Sequence, residues 1–275
     1  MAETPRRALP HKGLRIVAIV DLTYMRDPAT GAILWDANGY PQFNLQAGLA
    51  NTYGQLQSRV TNEVLGSPSQ SDVQNAIQDA IGIYDGTTFY FNSFRYYGGA
   101  SGNLSDLTTV SGKEFYSDQD LPLLINYPHI NNVVIVAFGS RYPLVQRTNG
   151  WIDDNSISTT WQGLPTDWCM EDGSLRLYPV PDGAYPLILN VTMRFAPLVN
   201  QSDYNPWTNQ GERLIRLEAK RLLFTDIIRD QAQAQAMAME IHGMQGVRGE
   251  LGRLRAESQR RAGGPGKLRA SRGYM

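Results

Sequence analysis

Apolar positions recur at helical spacing in two early stretches of the chain. Over residues 52–65, Leu56, Val60 and Val64 fall on one face, and Thr52 and Gln55 have capping-box spacing, so a helix is predicted there. Over residues 71–91 the stripe is Val73, Ile77, Ile81 and Tyr84, with Ser71 as the predicted cap and Gln74 as its reciprocating partner. The two stripes are expected to meet as a helical hairpin. From residue 94 to 198 the period shortens. The runs 132–138, 174–178 and 186–195 are alternating or β-branched and are bounded by Gly, Pro, Asp and Asn, which predicts about five to seven antiparallel strands. Pro186 cannot donate to a ladder, so that end is expected at a sheet edge. Residues 148–155 are read as one short helical turn interrupting the strands.

Asn205 and Pro206 mark a further helix start, as cap and first helical residue. Leu214, Leu217, Leu222 and Ile228 follow, and a Gln/Ala run continues to Glu240. At about 1.5 Å per residue, residues 206–242 would span roughly 55 Å. A small helical core does not need that length, so part of the helix is expected to project or to meet another subunit. Glycines 243, 246, 249 and 252 come next. Each costs a helix about 1 kcal/mol against alanine, so continued helix is disfavoured by roughly 4 kcal/mol and the remaining chain is expected to be ordered by a partner. At the other end, residues 15–22 are β-rich and Asp27, Pro28 and Gly31 punctuate a turn before 32–35, which reads as a hairpin.

The fold class expected is therefore α+β: a helical bundle of two N-terminal helices plus a long C-terminal helix, with an inserted antiparallel β-module and an extended C-terminal arm. The boundaries are 1–50 for an N-terminal extension, 51–93 and 205–243 for the helical core, 94–204 for the β-module and 244–275 for the arm.

Charge sharpens this division. The whole chain of 275 residues carries a formal −1, yet residues 246–275 hold eight basic residues against Glu250 and Glu257, a net +6 that leaves −7 for everything before them. The single cysteine, Cys169, excludes an internal disulfide, fits a reducing compartment, and stands beside Trp168 and Met170 where a buried inert thiol is expected. No run of 18 apolar residues exists, so no membrane span is expected, and residues 16–20 are too short for the apolar core of a signal peptide.

Catalysis requires convergent groups, and few are offered. His11, His129 and His242 are scattered without metal-ligand spacing. Asp153–Asp154 and Glu171–Asp172 are adjacent pairs, which on a strand face opposite ways and in a turn solvate the loop. No glycine-rich loop carries the lysine and hydroxyl that cradle phosphates. Neither an enzyme nor a cofactor is expected. Tyr96, Tyr97, Trp151, Trp161 and Trp168 could stack on a sugar, though core and interface use is the commoner fate of such rings. A stand-alone carbohydrate- or nucleic-acid-binding β-module stays open as the alternative.

A set of short blocks carries a more specific signal: Phe89-Tyr90-Phe91-Asn92, Ser111-Gly112-Lys113-Glu114-Phe115-Tyr116, Arg141-Tyr142-Pro143-Leu144, Trp151-Ile152-Asp153-Asp154, Gly163-Leu164-Pro165-Thr166-Asp167-Trp168, the run from Gly173 to Pro181, and Ala184-Tyr185. In order and spacing these blocks resemble the head-to-tail adaptor (connector, or neck) proteins of tailed bacteriophages, podovirus-like, over roughly residues 55–208. The first fifty residues and the stretch 96–109 depart from the pattern.

The resemblance implies a structural virion protein of the neck, assembled in the host cytoplasm. It implies a self-associated ring, dodecameric by analogy, beneath the portal protein and above a tail or nozzle protein, lining a channel through which genomic DNA passes without sequence recognition. Portal contact is then expected of Arg248, Arg253, Arg255, Arg260, Arg261, Lys267, Arg269 and Arg272. Tail or neighbouring-subunit contact is expected of Trp151, Asp153, Asp154 and Trp161. The N-terminal extension would add a contact of its own.

Overall fold

The computed structural model describes residues 23–25, 42–44, 51–97, 108–117, 119–121, 129–156, 161–244 and 247–262. The hairpin expected over 15–22 and 32–35 lies outside them. Within them, strand β1 (Thr23–Tyr24) pairs antiparallel with β2 (Phe43–Asn44), and the Phe43 ring meets Phe195 edge-on at 5.8 Å.

Thr52 caps helix α1 (Tyr53–Glu63) as its spacing predicts. The Thr52 hydroxyl accepts from the Gln55 amide at 3.4 Å and the Gln55 side chain accepts from the Thr52 amide at 3.2 Å. Helix α2 (Gln70–Asp85) begins earlier than expected, because Ser69 and not Ser71 is the cap, with the Asp72 carboxylate accepting from the Ser69 amide. A carboxylate in the first turn also meets the positive end of the helix dipole, an advantage Gln74 could not supply.

The β-rich region opens with β3 (Ser93–Tyr97), β4 (Phe115–Tyr116), β5 (His129–Ala137), β6 (Ser140–Pro143) and β7 (Val145–Gln146). Helix α3 (Asn149–Asn155), capped by Thr148, is the predicted short turn. It is followed by β8 (Gln162–Gly163), β9 (Asp167–Glu171), β10 (Ser174–Tyr178), β11 (Val180–Pro181) and β12 (Leu187–Thr192). Two four-stranded sheets result, ordered β3-β12-β5-β6 and β4-β10-β9-β7. They share one core, to which the first contributes Ile130, Val133, Ile135, Leu187, Leu189 and Val191 and the second Trp168, Leu175 and Leu177.

Two expectations are corrected here. The pairs β7–β9 and β8–β11 run parallel, so the module is not wholly antiparallel. Strand β12 is central, flanked by β3 and β5, and not at an edge. Pro186 stands one residue before it and contributes its carbonyl to the Val136 amide at 2.8 Å, so the missing N–H falls outside the ladder.

Beyond the sheets, Asn205 caps α4 (Pro206–Asn209), its side chain accepting from the Trp207 amide at 2.9 Å. Helix α5 (Glu212–Leu222) then widens into a π turn at Leu223–Ile227. The single long helix does not form. Arg229 adopts a left-handed φ of 62°, and Asp230 caps a new helix, α6 (Gln231–His242), by accepting from the amides of Ala232 and Gln233. That break turns α6 back along α5.

The glycine-rich stretch is also ordered differently from expectation. Strands β13 (Gly243–Met244) and β14 (Val247–Arg248) pair antiparallel and lead into helix α7 (Glu250–Ala262). Leu251 and Leu254 of α7 are buried in the same core as Leu214, Ile215, Ile241 and Trp207. Gly243, at φ 89°, and Gly249 lie so close across the turn that a Cβ on either would collide with backbone atoms of the opposite segment. These glycines permit a tight helix-to-helix connection where a free tail was expected. The helical core consequently takes in residues 250–262.

Candidate assembly interface

On its outer face, the second sheet binds α3 around one buried arginine. Arg176 donates through Nε to Glu114 Oε1 at 2.6 Å and through Nη1 to Asp153 Oδ1 at 2.6 Å and Glu171 Oε2 at 2.9 Å. Its guanidinium also lies 5.2 Å from the Phe115 ring centroid. Burial works against the cation, but the hydrogen bonds it donates to Asp153 and Glu114 outweigh burial and hold the guanidinium more firmly charged than usual. Ile152 packs with Cys169 and Tyr178, and the Tyr178 hydroxyl donates to the Asn155 carbonyl at 2.7 Å. Burial pushes the Cys169 thiol up, which suits a packing role and not a nucleophile.

Three of the four expected contact residues gather here. Asp153 ties α3 to Arg176. Trp151 is sandwiched, with Arg147 4.3 Å over its ring and Tyr178 edge-on at 6.2 Å. Trp161 meets Tyr178 edge-on at 5.6 Å and stays 56% exposed, while Asp154 is exposed on α3. Trp151 and Asp153 therefore hold the module together, and Trp161 and Asp154 are the pair available to a neighbour.

The basic residues divide in the same manner. Glu250 is buried at the start of α7 and accepts from Arg253 Nη2 at 2.5 Å. Glu257 accepts from Arg261 at 2.8 Å and from Arg260; the Arg261 hydrogen bond leads in holding its carboxyl below the usual carboxylate range. Arg261 also covers the Tyr90 ring at 4.0 Å, and Ser258 Oγ accepts from the Tyr90 amide at 2.9 Å. Phe89, Tyr90, Ser258, Gln259 and Arg261 line a cavity of about 350 Å³ at this corner. Arg248 and Arg255 are exposed. Lys267, Arg269 and Arg272 lie outside the described residues.

Two surfaces escaped the sequence reading. A groove of about 840 Å³ runs along α1, lined by amide and hydroxyl side chains such as Gln55, Ser58, Asn62, Gln70 and Gln201, with Arg59 paired to Glu212 at 3.2 Å. The outward positions of α1 already show this uncharged pattern in the sequence. The other is the β5–β6 turn, where Phe138 (φ 50°) and Gly139 (φ 74°) both adopt left-handed backbone and Phe138 is 84% exposed. Such turns favour Asn-Gly, so the Phe-Gly pair between two β runs was the available signal.

Among the described residues, no group of three or more His, Cys, Asp and Glu could hold a metal, and no helix is long and apolar enough to cross a membrane. The geometry is that of packed sheets and helices presenting surfaces. No curated protein matches the chain. Residues 51–269 match the family described as SU10 adaptor protein, and the chain belongs to this family of bacteriophage head-to-tail adaptors.

Proposed function

We propose that this adaptor is a non-enzymatic neck subunit that associates with copies of itself in a ring beneath the portal, receives the tail on its opposite face and lines the passage for DNA. The observation that carries the reading is α7, a helix anchored by Leu251, Leu254 and Glu250 that presents Arg253, Arg255, Arg260 and Arg261 outward. Family membership supports portal, tail and self contacts, and the neck as location. Twelve copies is the number suggested by analogy. A closed ring needs a heterologous interface, one side of a copy meeting a different side of the next.

Arg253, Arg260 and Arg261 are ion-paired within the chain, so Arg248 and Arg255 are the arginines best placed to meet portal carboxylates or DNA phosphates. Lys267, Arg269 and Arg272 extend the same charge along the sequence. Trp161 and Asp154 are the proposed tail or neighbour contacts on the β-module, and the N-terminal extension an additional one.

The test is to mix purified chain with portal rings of the same phage and image the product. The double substitution Arg248→Glu, Arg255→Glu should keep the wild-type circular dichroism spectrum and melting profile yet fail to decorate portal. Normal decoration by the charge-reversed chain would overturn the portal assignment.

A further inference from the structure

We propose that the Phe138 tip of one copy seats in the cavity beside α7 of the next copy, making the heterologous contact of the ring. This rests on the self-association reading above and names its interface.

The turn is built in an unfavourable way for a lone chain. Both central residues need positive φ, and Phe is a bulky side chain in a backbone region that suits Asn or Gly. The ring gains nothing within the copy, being 84% exposed. Exposed Arg141 and Tyr142 follow on β6, so the tip offers Phe, Tyr and Arg together, the residue types enriched at interface centres.

The cavity lies at the other end of the same strand. Thr88, which lines it, hydrogen bonds Asn131 near the start of β5 at 3.3 Å, while Phe138 directly follows the end of β5. Six residues of strand separate Asn131 from Ala137, about 20 Å at 3.3 Å per residue. A copy cannot place its own tip in its own cavity, so the contact joins unlike surfaces of two copies and can propagate around a ring. The cavity, at about 350 Å³, has room for a phenyl ring beside the Tyr90–Arg261 stack, with Thr88, Ser93 and Gln259 at its rim.

Charge favours the same pairing. Residues 94–204, which carry the tip, contain six basic and eleven acidic residues, a net −5, whereas residues 247–262, which wall the cavity through Ser258, Gln259 and Arg261, hold five basic and two acidic residues, a net +3. A β-module brought against the neighbour's α7 is attracted over the whole approach.

Two variants of the full chain test this by mass photometry and sedimentation, alone and on added portal rings. Phe138→Asn suits the turn and should raise the melting temperature while weakening self-association at least about 30-fold. Gln259→Trp, at an exposed position on the cavity rim, should fill the seat and also leave monomers. An equimolar mixture should form dimers and nothing larger, because one copy supplies a tip and the other a cavity. Phe138→Asn associating like wild type, or a mixture without dimers, would overturn the seat. If that variant still forms rings on portal, the adaptor reading stands and only the seat falls. If the wild-type chain forms no ring with portal either, both fall.

Discussion

At Arg176 a single side chain serves three carboxylates, and its replacement exposes what each contributes. Arg176→Leu leaves Glu114, Asp153 and Glu171 facing one another without a cation, and Glu114 and Glu171 are largely covered. The expected loss is about 2–3 kcal/mol, below the figure for a fully buried pair because Asp153 is more than half exposed. Urea unfolding monitored by tryptophan fluorescence reads it, and a loss under about 0.5 kcal/mol would show the cluster to be incidental. Phe138 points the other way: Phe138→Asn should stabilise the isolated subunit by about 1 kcal/mol through relief of a left-handed backbone. Glu63 supplies a pH signature. Burial tends to raise its carboxyl, but Lys220 and Arg216 outweigh burial and hold it below its ordinary 4.5. A carboxyl depressed on folding lends stability that is fully present above its unfolded pKa and is lost as pH falls from about 4.5 through the folded value. The pair faces solvent, so the amount is below about 1 kcal/mol. Glu63→Gln should cost that amount at pH 7 and progressively less as pH falls below 4.5, read from melting temperatures across pH; a gap that does not change with pH would exclude the linkage.

Among the elements, α7 most changes the reading of the molecule. Its glycine-rich approach argues against helix by propensity alone, and its charges read as a solvated arm. Leu251 and Leu254 reverse that conclusion, since of the four glycines Gly252 alone lies within α7 and burying two leucines contributes more than its cost of about 1 kcal/mol. Leu254→Ala should destabilise by about 2–4 kcal/mol. Gly249→Ala, which forces a Cβ into the Gly243 backbone, should release α7 and make its Arg253 and Arg255 sites cleavable by trypsin while α1, α2 and α5 stay protected. Equal resistance of both chains to trypsin would show that the turn tolerates a side chain. The elements legible in advance were those whose signals are local. Thr52–Gln55 and Asn205–Pro206 announce helix starts through side chains within three residues of the groups they cap. Ser69 was missed because Ser71 offers the same hydroxyl two residues later, although the Asp72 carboxylate that reciprocates for Ser69 stands only three residues away. The break at Arg229–Asp230 was masked by a continuous polar and alanine-rich pattern that any helix tolerates.

For the whole molecule, the separation of a −5 β-module from a +6 C-terminal segment predicts weak, sequence-independent binding to duplex DNA that falls steeply with salt. Removing Arg248 and Arg255 together should lower the slope of log affinity against log salt by about 2, measured by fluorescence anisotropy. A slope unchanged by both substitutions would remove these arginines from the DNA path. The candidate contacts show the same divide between local and global information. Trp151, Asp153 and Trp161 could be singled out as a group, but that Trp151 and Asp153 fasten α3 while Trp161 remains outward depends on where Arg147, Arg176 and Tyr178 arrive from other strands. The amino-acid sequence by itself determined the α+β class, the caps at Thr52 and Asn205, the two early helices, the main strands and the adaptor resemblance, because each depends on residues close together or on an ordered series of motifs. Tertiary structure alone decided the parallel strand pairs, the folding back of α6, the docking of α7 and the outward stance of Phe138. Those outcomes depend on which distant surfaces meet, and a burial gain of a few kcal/mol between them overrides local propensities of about 1 kcal/mol per residue.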